Sequence, residues 1–410
     1  MQRVEKHIIK FDKNIDHLCY LSKNLYNYVT YIIRQEFTSK GTIPKEYDLV
    51  KKLRRENQPD FRALPSATSG QIIKVIFLNW KSFFKSIKAY KKNPSKFKGR
   101  PKLPKYKHKE KGRNVVIFNG SNQVRLKDGY IYLPQKVNIQ PIKTTIPNGT
   151  KINQVRFIPK PNCFVIEIVY EKQKKEYELT PNTYISIDLG LNNLATVYDQ
   201  KNNTSFIING KPLKSINQYF NKKRAELMSY IGDRGISNRI KKLTLDRNNK
   251  IDTYIHTASR RIVDYCIENK ISNIIIGNNK DWKQNINIGK KNNQSFVSIP
   301  FEKLISQIQY KGEEVGINVK VTEESYTSKI DHYALEPMKK REKYLGKRVK
   351  RGLFKSSTGL ILNADLNGAI GILRKEVGES FFKKEIVDRG HAVCPFRVTI
   401  PDKPHSFSKS

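Results

Sequence analysis

The segment "QRVEKHIIKF" from Gln2 to Phe11 alternates polar and apolar positions with period two and predicts a strand. The period then changes. In "IDHLCYLSKNLYNYVTYIIRQEF", Leu18, Leu21, Leu25, Val29 and Ile32 recur at helical spacing. A second amphipathic helix is predicted through Ile73, Ile76, Phe77, Trp80, Phe84 and Ile87, entered from Ser-Ala-Thr-Ser-Gly. Both stripes read as core. Between Asn114 and Tyr170 strand signals return as "NVVIF", "GYIYLP", "INQVRFIPK" and "CFVIEIVYE", separated by turn residues such as Lys-Asp-Gly. Short strands at this spacing suit a small barrel or sandwich. If the first strand pairs with them, the helical stretch is an insertion.

From Thr183 the grammar changes again. Three strands, "ISIDLG", "LATVYD" and "TSFIIN", precede two long helical patterns around Ser215–Ile231 and Ile236–Asn269. Then come a strand, "ISNIIIGN", a helix, "FEKLISQIQYKGEEVG", a strand, "INVKVTEE", and a final helix within "NADLNGAIGILRK". A three-strand meander followed by alternating helices and strands is the element order of an RNase H-like α/β fold. One position resists a purely structural explanation: Asp188 stands near the end of an otherwise apolar strand. An unpaired carboxylate in a core is costly enough to be neutralised instead, so a cation or metal is expected beside it.

Composition narrows the partner. The 410 residues include 78 Lys plus Arg against 37 Asp plus Glu, a net charge of +41, with 10% aromatics. An acid deficit this deep implies a polyanion, and the aromatics favour nucleic acid over a membrane surface. The excess is concentrated. Lys81 to Lys111 holds 13 basic residues and one acid, Glu110, with Phe97 and Tyr106 among them. Its Pro and Gly residues exclude a helix over "NPSKFKGRPKLPKYKHKEKGRN", and extended basic backbone with interleaved aromatics suits phosphate contact plus base stacking. A solvated linker is the alternative. Lys339 to Lys355 holds nine basic residues and one acid, Glu342. The cysteines, Cys19, Cys163, Cys266 and Cys394, are far apart and form no CxxC pair, so neither a zinc ribbon nor a disulfide framework is expected. His17, His108, His256, His332 and His391 share no ligand spacing and read as surface or satisfied core groups. With no long apolar run and no signal-peptide pattern, the expectation is a cytoplasmic protein with no membrane partner.

RNase H-like nucleases work with two metal ions roughly 3.5–4 Å apart, and Mg²⁺ takes oxygen ligands. Asp188 is the first candidate ligand. Asp365, near the start of the last helix, is another, although a helix N-terminus alone also accommodates an acid. Gly368, Ala369 and Ile372 of that helix can pack closely on the sheet.

The run "ISIDLGLNNLATVYD", the stretch from "GNNKDWKQN" through "PFEKLISQIQYKGEEVGINVKVTEESYTSKID", and "GKRVKRGLFKSSTGLILNADLNGAIGILRK" together resemble TnpB, the transposon-encoded relatives of the single-effector CRISPR nucleases with one RuvC domain. "NPSKFKGRPKLPKYKHK" is similar to the basic segment preceding the β-domain of that family. The resemblance implies an RNA-guided endonuclease, a monomer with RNA, that takes a guide RNA from the transposon end. It would cleave double-stranded DNA beside a short motif using two Mg²⁺ ions; no zinc is expected, because this chain has no Cys and His set at zinc spacing. The implied fold is α/β: a β-barrel wedge domain over residues 1–12 and 95–180 with a helical recognition insertion at 13–94, and an RNase H-like RuvC nuclease domain over 181–330 and 360–376. Residues 331–359 would be a basic target-loading insertion and 377–410 a C-terminal tail. Candidate nucleic-acid contacts are Lys98, Arg100, Lys102, Lys105, Tyr106, Lys107, Lys283, Lys347, Arg348, Lys350 and Arg351.

Two departures from the family pattern stand out. Many relatives carry a CxxC…CxxC ribbon where this chain has the cysteine-free "GKRVKRGLF", so target loading would fall to Arg348, Lys350, Arg351 and Phe354 without metal support. The strand "SNIIIGNN" also has Gly277 where the family's Glu usually stands, and Asp281 lies beyond the strand. The next strand ends in Glu323-Glu324. The family pattern of an acid two residues before Tyr326-Thr327-Ser328 favours Glu324 as the third metal ligand, giving Asp188, Glu324 and Asp365 as the catalytic set. A binder that has lost cleavage and acts as a repressor, and a DDE-type transposase without RNA, stay open as alternatives.

Overall fold

A computed structural model describes residues 1–232, 235–278, 299–350, 352–378, 395–398 and 400. The chain forms two compact units, Met1–Lys172 and Gln173–Ser410.

In the first unit, strand β1 (Gln2–Lys10) pairs antiparallel with β7 (Cys163–Glu171) along its full length. β6 (Ile152–Lys160) and β2 (Val116–Asn119) complete a sheet of order β1-β7-β6-β2. The helices between β1 and β2 are therefore an insertion within one sheet. They are α1 (Lys13–Lys40), α2 (Glu46–Arg55), α3 (Pro59–Arg62) and α4 (Ser66–Lys92). Asp12 caps α1 by accepting from the Ile15 amide at 2.9 Å, and Gly41, at φ 71°, ends it in the left-handed conformation that glycine adopts freely. Ile15, Leu18, Leu25, Val29 and Ile33 are the buried face of α1, so the stripe ends on Ile33 rather than on the expected Ile32. Trp80 of α4 is fully buried against Phe37 and Phe83.

After the turn-length α5 (Gly120–Gln123), a second sheet forms from β3 (Arg125–Lys127), β4 (Tyr130–Tyr132) and β5 (Ile142–Lys143). The strands described make two sheets sharing one core rather than a closed barrel. Ile131 and Ile142 of the second sheet join Val155 and Phe157 of the first.

The second unit is a six-stranded sheet of order β12-β11-β8-β9-β10-β16. The meander is β8 (Thr180–Leu189), β9 (Asn193–Asp199) and β10 (Thr204–Asn209), antiparallel throughout. α6 (Lys211–Ile231) and α7 (Asn238–Glu268) lead to β11 (Ile271–Gly277), parallel to β8. α8 (Phe301–Glu314) leads to β12 (Asn318–Thr322), parallel to β11. The RNase H-like order expected from the sequence is thus present. The sheet is buried on both faces. Ile185, Ile187, Leu189, Ile274 and Ile276 face the core with α7 and α8, whereas Ile275 packs with Leu366, Ala369, Ile370 and Ile372 of the last helix, α9 (Ala364–Val377).

The basic insertion is a small sheet, β13 (Lys347–Lys350), β14 (Leu353–Lys355) and β15 (Ile361–Asn363). β16 (Phe396–Val398), unforeseen in the tail, joins β10 in parallel. No described helix is long and apolar enough to cross a membrane.

Candidate active site and nucleic-acid interface

Strand alternation explains where Asp188 points. With Ile185, Ile187 and Leu189 committed to the α7/α8 core, Ser186 and Asp188 face the opposite side, toward α9. α9 accommodates the carboxylate through Gly368, where a Cβ would stand 2.8 Å from Asp188 Oδ2. Any side chain there would push the acid away. Asn363 caps α9 by accepting from the amides of Asp365 and Leu366, which fixes Asp365 in the first turn.

The third acid arrives by a different route. β12 ends at Thr322, and the chain turns through Tyr326 at φ 69°, with the Thr327 amide and hydroxyl both donating to the Glu324 carbonyl. Glu323 points outward, accepting from the Ser325 hydroxyl and, at 3.5 Å, from Lys375. Glu324 points inward. A Cβ built on Gly277 would lie 2.8 Å from Glu324 Oε2 and would overlap Ile372 Cδ1. The space into which a side chain at 277 would extend is held by the Glu324 carboxylate. Asp188, Glu324 and Asp365 are all partly buried, so the cluster is enclosed yet reachable from solvent.

The electrostatics show the crowding. Burial pushes Asp188 well above the usual carboxylate range, the charges of Glu324 and Asp365 raise it further, and the Arg348 guanidinium on β13 works in the opposite direction. Burial pushes Glu324 up to about 7. A buried carboxylate crowded by two further acids, as Asp188 is, is what a divalent cation relieves. The donors are all oxygen, as Mg²⁺ prefers. Directly opposite Asp188 in the β8–β9 register, Thr196 also buries a hydroxyl with no hydrogen-bond partner among the described residues. The residues fit a hard divalent cation. No three described His, Cys, Asp or Glu side chains converge at ligand spacing.

Asn193 was not anticipated. Its side-chain amide donates to Asp365 Oδ2 at 2.7 Å and accepts from Arg397 of β16 at 3.3 Å. Lys283, Arg351, Asp281, His391 and Cys394 lie outside the described residues.

The basic segment of the first unit is not a free linker. From Pro104 to Lys109 its backbone runs along α1. Arg34 donates to the Pro104 carbonyl and Lys23 to the Lys109 carbonyl. Asn27 both donates to the Lys107 carbonyl at 2.9 Å and accepts from its amide at 2.8 Å. Arg113 closes the segment with a two-pronged ion pair to Asp16, both contacts at 2.7 Å. Satisfying the carbonyls from α1 leaves Lys98, Arg100, Lys102, Lys105, Tyr106 and Lys107 exposed. Arg34 lies 4.5 Å from the centre of the Tyr106 ring, which is 43% exposed.

The insertion over 331–359 is held by a buried polar network. The fully buried Asp331 carboxylate accepts from the hydroxyls of Ser356 and Ser357 and from the backbone amides of Ala334 and Ser357. Glu336 accepts from the amides of Asp331 and Leu345, and Arg374 of α9 donates to the Glu336 and Leu335 carbonyls. Lys347, Arg348 and Lys350 are exposed on β13. Phe354 is a correction: at 2% exposure it fills the small core with Leu362 and Ala364 and is not available to load a target strand. Asp331→Ala is expected to leave several buried donors unpaired and cost about 3 kcal/mol or more. Hydrogen exchange should show this as lost protection in residues 347–363, and elemental analysis of the wild type should find no stoichiometric zinc.

Comparison with known proteins agrees with this architecture. A family profile described as "Probable transposase" (OrfB_IS605) matches residues 167–283, and one described as "Cas12f1-like, TNB domain" matches residues 301–372. A TnpB-like protein, ORF457 of Acidianus two-tailed virus, is 30% identical over 210 residues. These regions of the chain are similar to TnpB-like proteins. That match covers 48% of this chain and 42% of the viral protein, so it spans less than half of the relative's length. Among solved structures, a cryo-EM structure of a Cas12f1–sgRNA–target DNA complex aligns at 15% identity with a TM-score of 0.55, covering 88% of this chain and 83% of that one. At that identity the likeness speaks for the fold alone.

Proposed function

We propose that this TnpB-like chain is an RNA-guided DNA endonuclease in which Asp188, Glu324 and Asp365 hold divalent cations, two Mg²⁺ in the family's chemistry. The observation that carries the reading is the Glu324 carboxylate in the space beside Gly277, directed to the same α9-facing side as Asp188. The strand that lacks its expected acid has a substitute from its neighbour. The same substitution removes the main ground for an inactive binder. Asp188, Glu324 and Asp365 would hold the ions, whose chemistry would be activation of water and stabilisation of the leaving oxygen of a phosphodiester.

This chain's residues do the rest. The three carboxylates orient the donor oxygens. Gly368 keeps Asp188 against α9. Arg348, whose charge is felt at Asp188, supplies positive charge beside the acids for a phosphate to meet. The exposed lysines and arginines of the docked segment contact phosphates without reading bases, as suits a protein that leaves sequence recognition to guide pairing. The Tyr106 ring, stiffened by Arg34, is a stacking platform.

Bound RNA is the first test. The protein should purify with a discrete RNA species, and sequencing should return one RNA rather than a sample of the transcriptome. Nucleic-acid-free, monodisperse protein recovered at low salt would overturn the proposal, because a chain of charge +41 is self-repulsive without a polyanion.

A further inference from the structure

Strand β9 departs from regular pairing at its first residues. Asn209 of β10 faces Asn193 while Ile208 faces Ala195, a register shift that leaves Leu194 as an extra residue. Leu194 and Ala195 consequently both enter the α7/α8 core, which strict alternation forbids. The bulge frees Asn193 to face α9, where its amide meets Asp365.

The orientation of that amide is fixed by a residue more than 200 positions away. Arg397 carries only donors, so the Asn193 oxygen must face it and the Asn193 NH₂ must face the Asp365 carboxylate. A flipped amide would set oxygen against oxygen at 2.7 Å. Arg397 is delivered by β16, which is anchored by other groups. Phe396 packs on Phe206 at 5.5 Å, and Ile400 is buried in the main core of the unit.

We infer that Asn193 is a positioning residue that orients Asp365 toward the divalent cation, and that Arg397, brought to the sheet after the last nuclease helix, sets the Asn193 amide. A neutral donor holds one carboxylate oxygen in place without adding a cation that would discharge it. The inference rests on the reading of Asp365 as a metal ligand. Outer-shell hydrogen bonds of this kind typically change metal affinity about 10–100-fold when removed.

The test is iron(II)-directed peptide cleavage on the protein with its bound RNA. Fe²⁺ with ascorbate and peroxide cuts the chain beside a bound ion, independently of DNA cleavage and of diffuse ions on the RNA. Wild type should give fragments ending near 188, 324 and 365. Asn193→Ala should raise the half-maximal Fe²⁺ concentration about tenfold or more. Arg397→Ala should shift it in the same direction, and Arg397→Lys, which retains a donor-only cation, should restore it to within about twofold. Asn193→Ala and Arg397→Ala titrations that coincide with wild type overturn the inference and leave the metal site standing. Absence of local fragments from wild type overturns the metal reading itself, and the inference with it.

Discussion

Asp188→Ala and Asp365→Ala are each expected to lower guided DNA cleavage about a thousandfold, equivalent to several kcal/mol of transition-state stabilisation. Guided DNA binding should change less than about threefold. The asymmetry follows from how the two functions are distributed. On the proposed function, cleavage depends on a few oxygens beside α9, and losing either carboxylate would leave a donor set too small to hold ions in place. Binding is spread over many exposed cations, each contributing a modest, salt-dependent share. Gel-shift and plasmid-nicking measurements on the same preparations separate them. A variant that still cuts at more than a few per cent of wild type shows that its residue is not a ligand.

The second large effect belongs to Glu324. Glu324→Ala should match Asp188→Ala in lost cleavage, whereas Glu323→Ala should stay within about twofold, because Glu323 is exposed and engaged with Ser325 and Lys375. The space at Gly277 allows a sharper version. Gly277→Glu alone should destabilise, since its Cβ meets the Glu324 carboxylate and Ile372. Gly277→Glu combined with Glu324→Ala and Ile372→Ala vacates that space and should recover at least about a tenfold gain over Glu324→Ala, if the carboxylate's location rather than its backbone origin matters.

Stability should report the burial of Glu324. In the folded protein Glu324 titrates near 7, above its ordinary value of 4.5, so the native state holds that proton more tightly than the unfolded chain. Stability from this group is therefore present at low pH and lost as pH rises from about 4.5 through about 7. In EDTA at about pH 8, Glu324→Gln should melt higher than wild type, and added Mg²⁺ should narrow or reverse the gap. A wild type that is the more stable of the two in EDTA would contradict that cost of burying the Glu324 charge.

How much of this the sequence discloses depends on whether local pattern or distant contact decides. Asp188 is visible because alternating Ile185, Ile187 and Leu189 make the acid conspicuous, and the strand and helix order carries the topology. Glu323 and Glu324 could not be told apart by alternation, because β12 stops at Thr322 and a turn through positive-φ Tyr326 follows. Asn193 was hidden by its bulge: period-two reasoning puts it on the wrong face. The three-residue β16 has no periodicity to detect, and its pairing with β10 spans almost 200 residues. The Asp331 network likewise reveals itself only in three dimensions, where one buried carboxylate meets donors from both ends of the insertion. Phe354 was misjudged for the opposite reason. An aromatic in a basic run resembles a stacking residue until the hairpin closes over it.

The most direct measurement is cleavage of a plasmid bearing a site matched to the co-purified RNA, by the purified complex, with Mg²⁺ or EDTA and with wild type or Glu324→Ala. The account predicts cutting only by wild type, only with Mg²⁺, and only on the matched plasmid. Equal cutting by Glu324→Ala, or binding of the matched site by a wild type that never cuts with Mg²⁺, would contradict it.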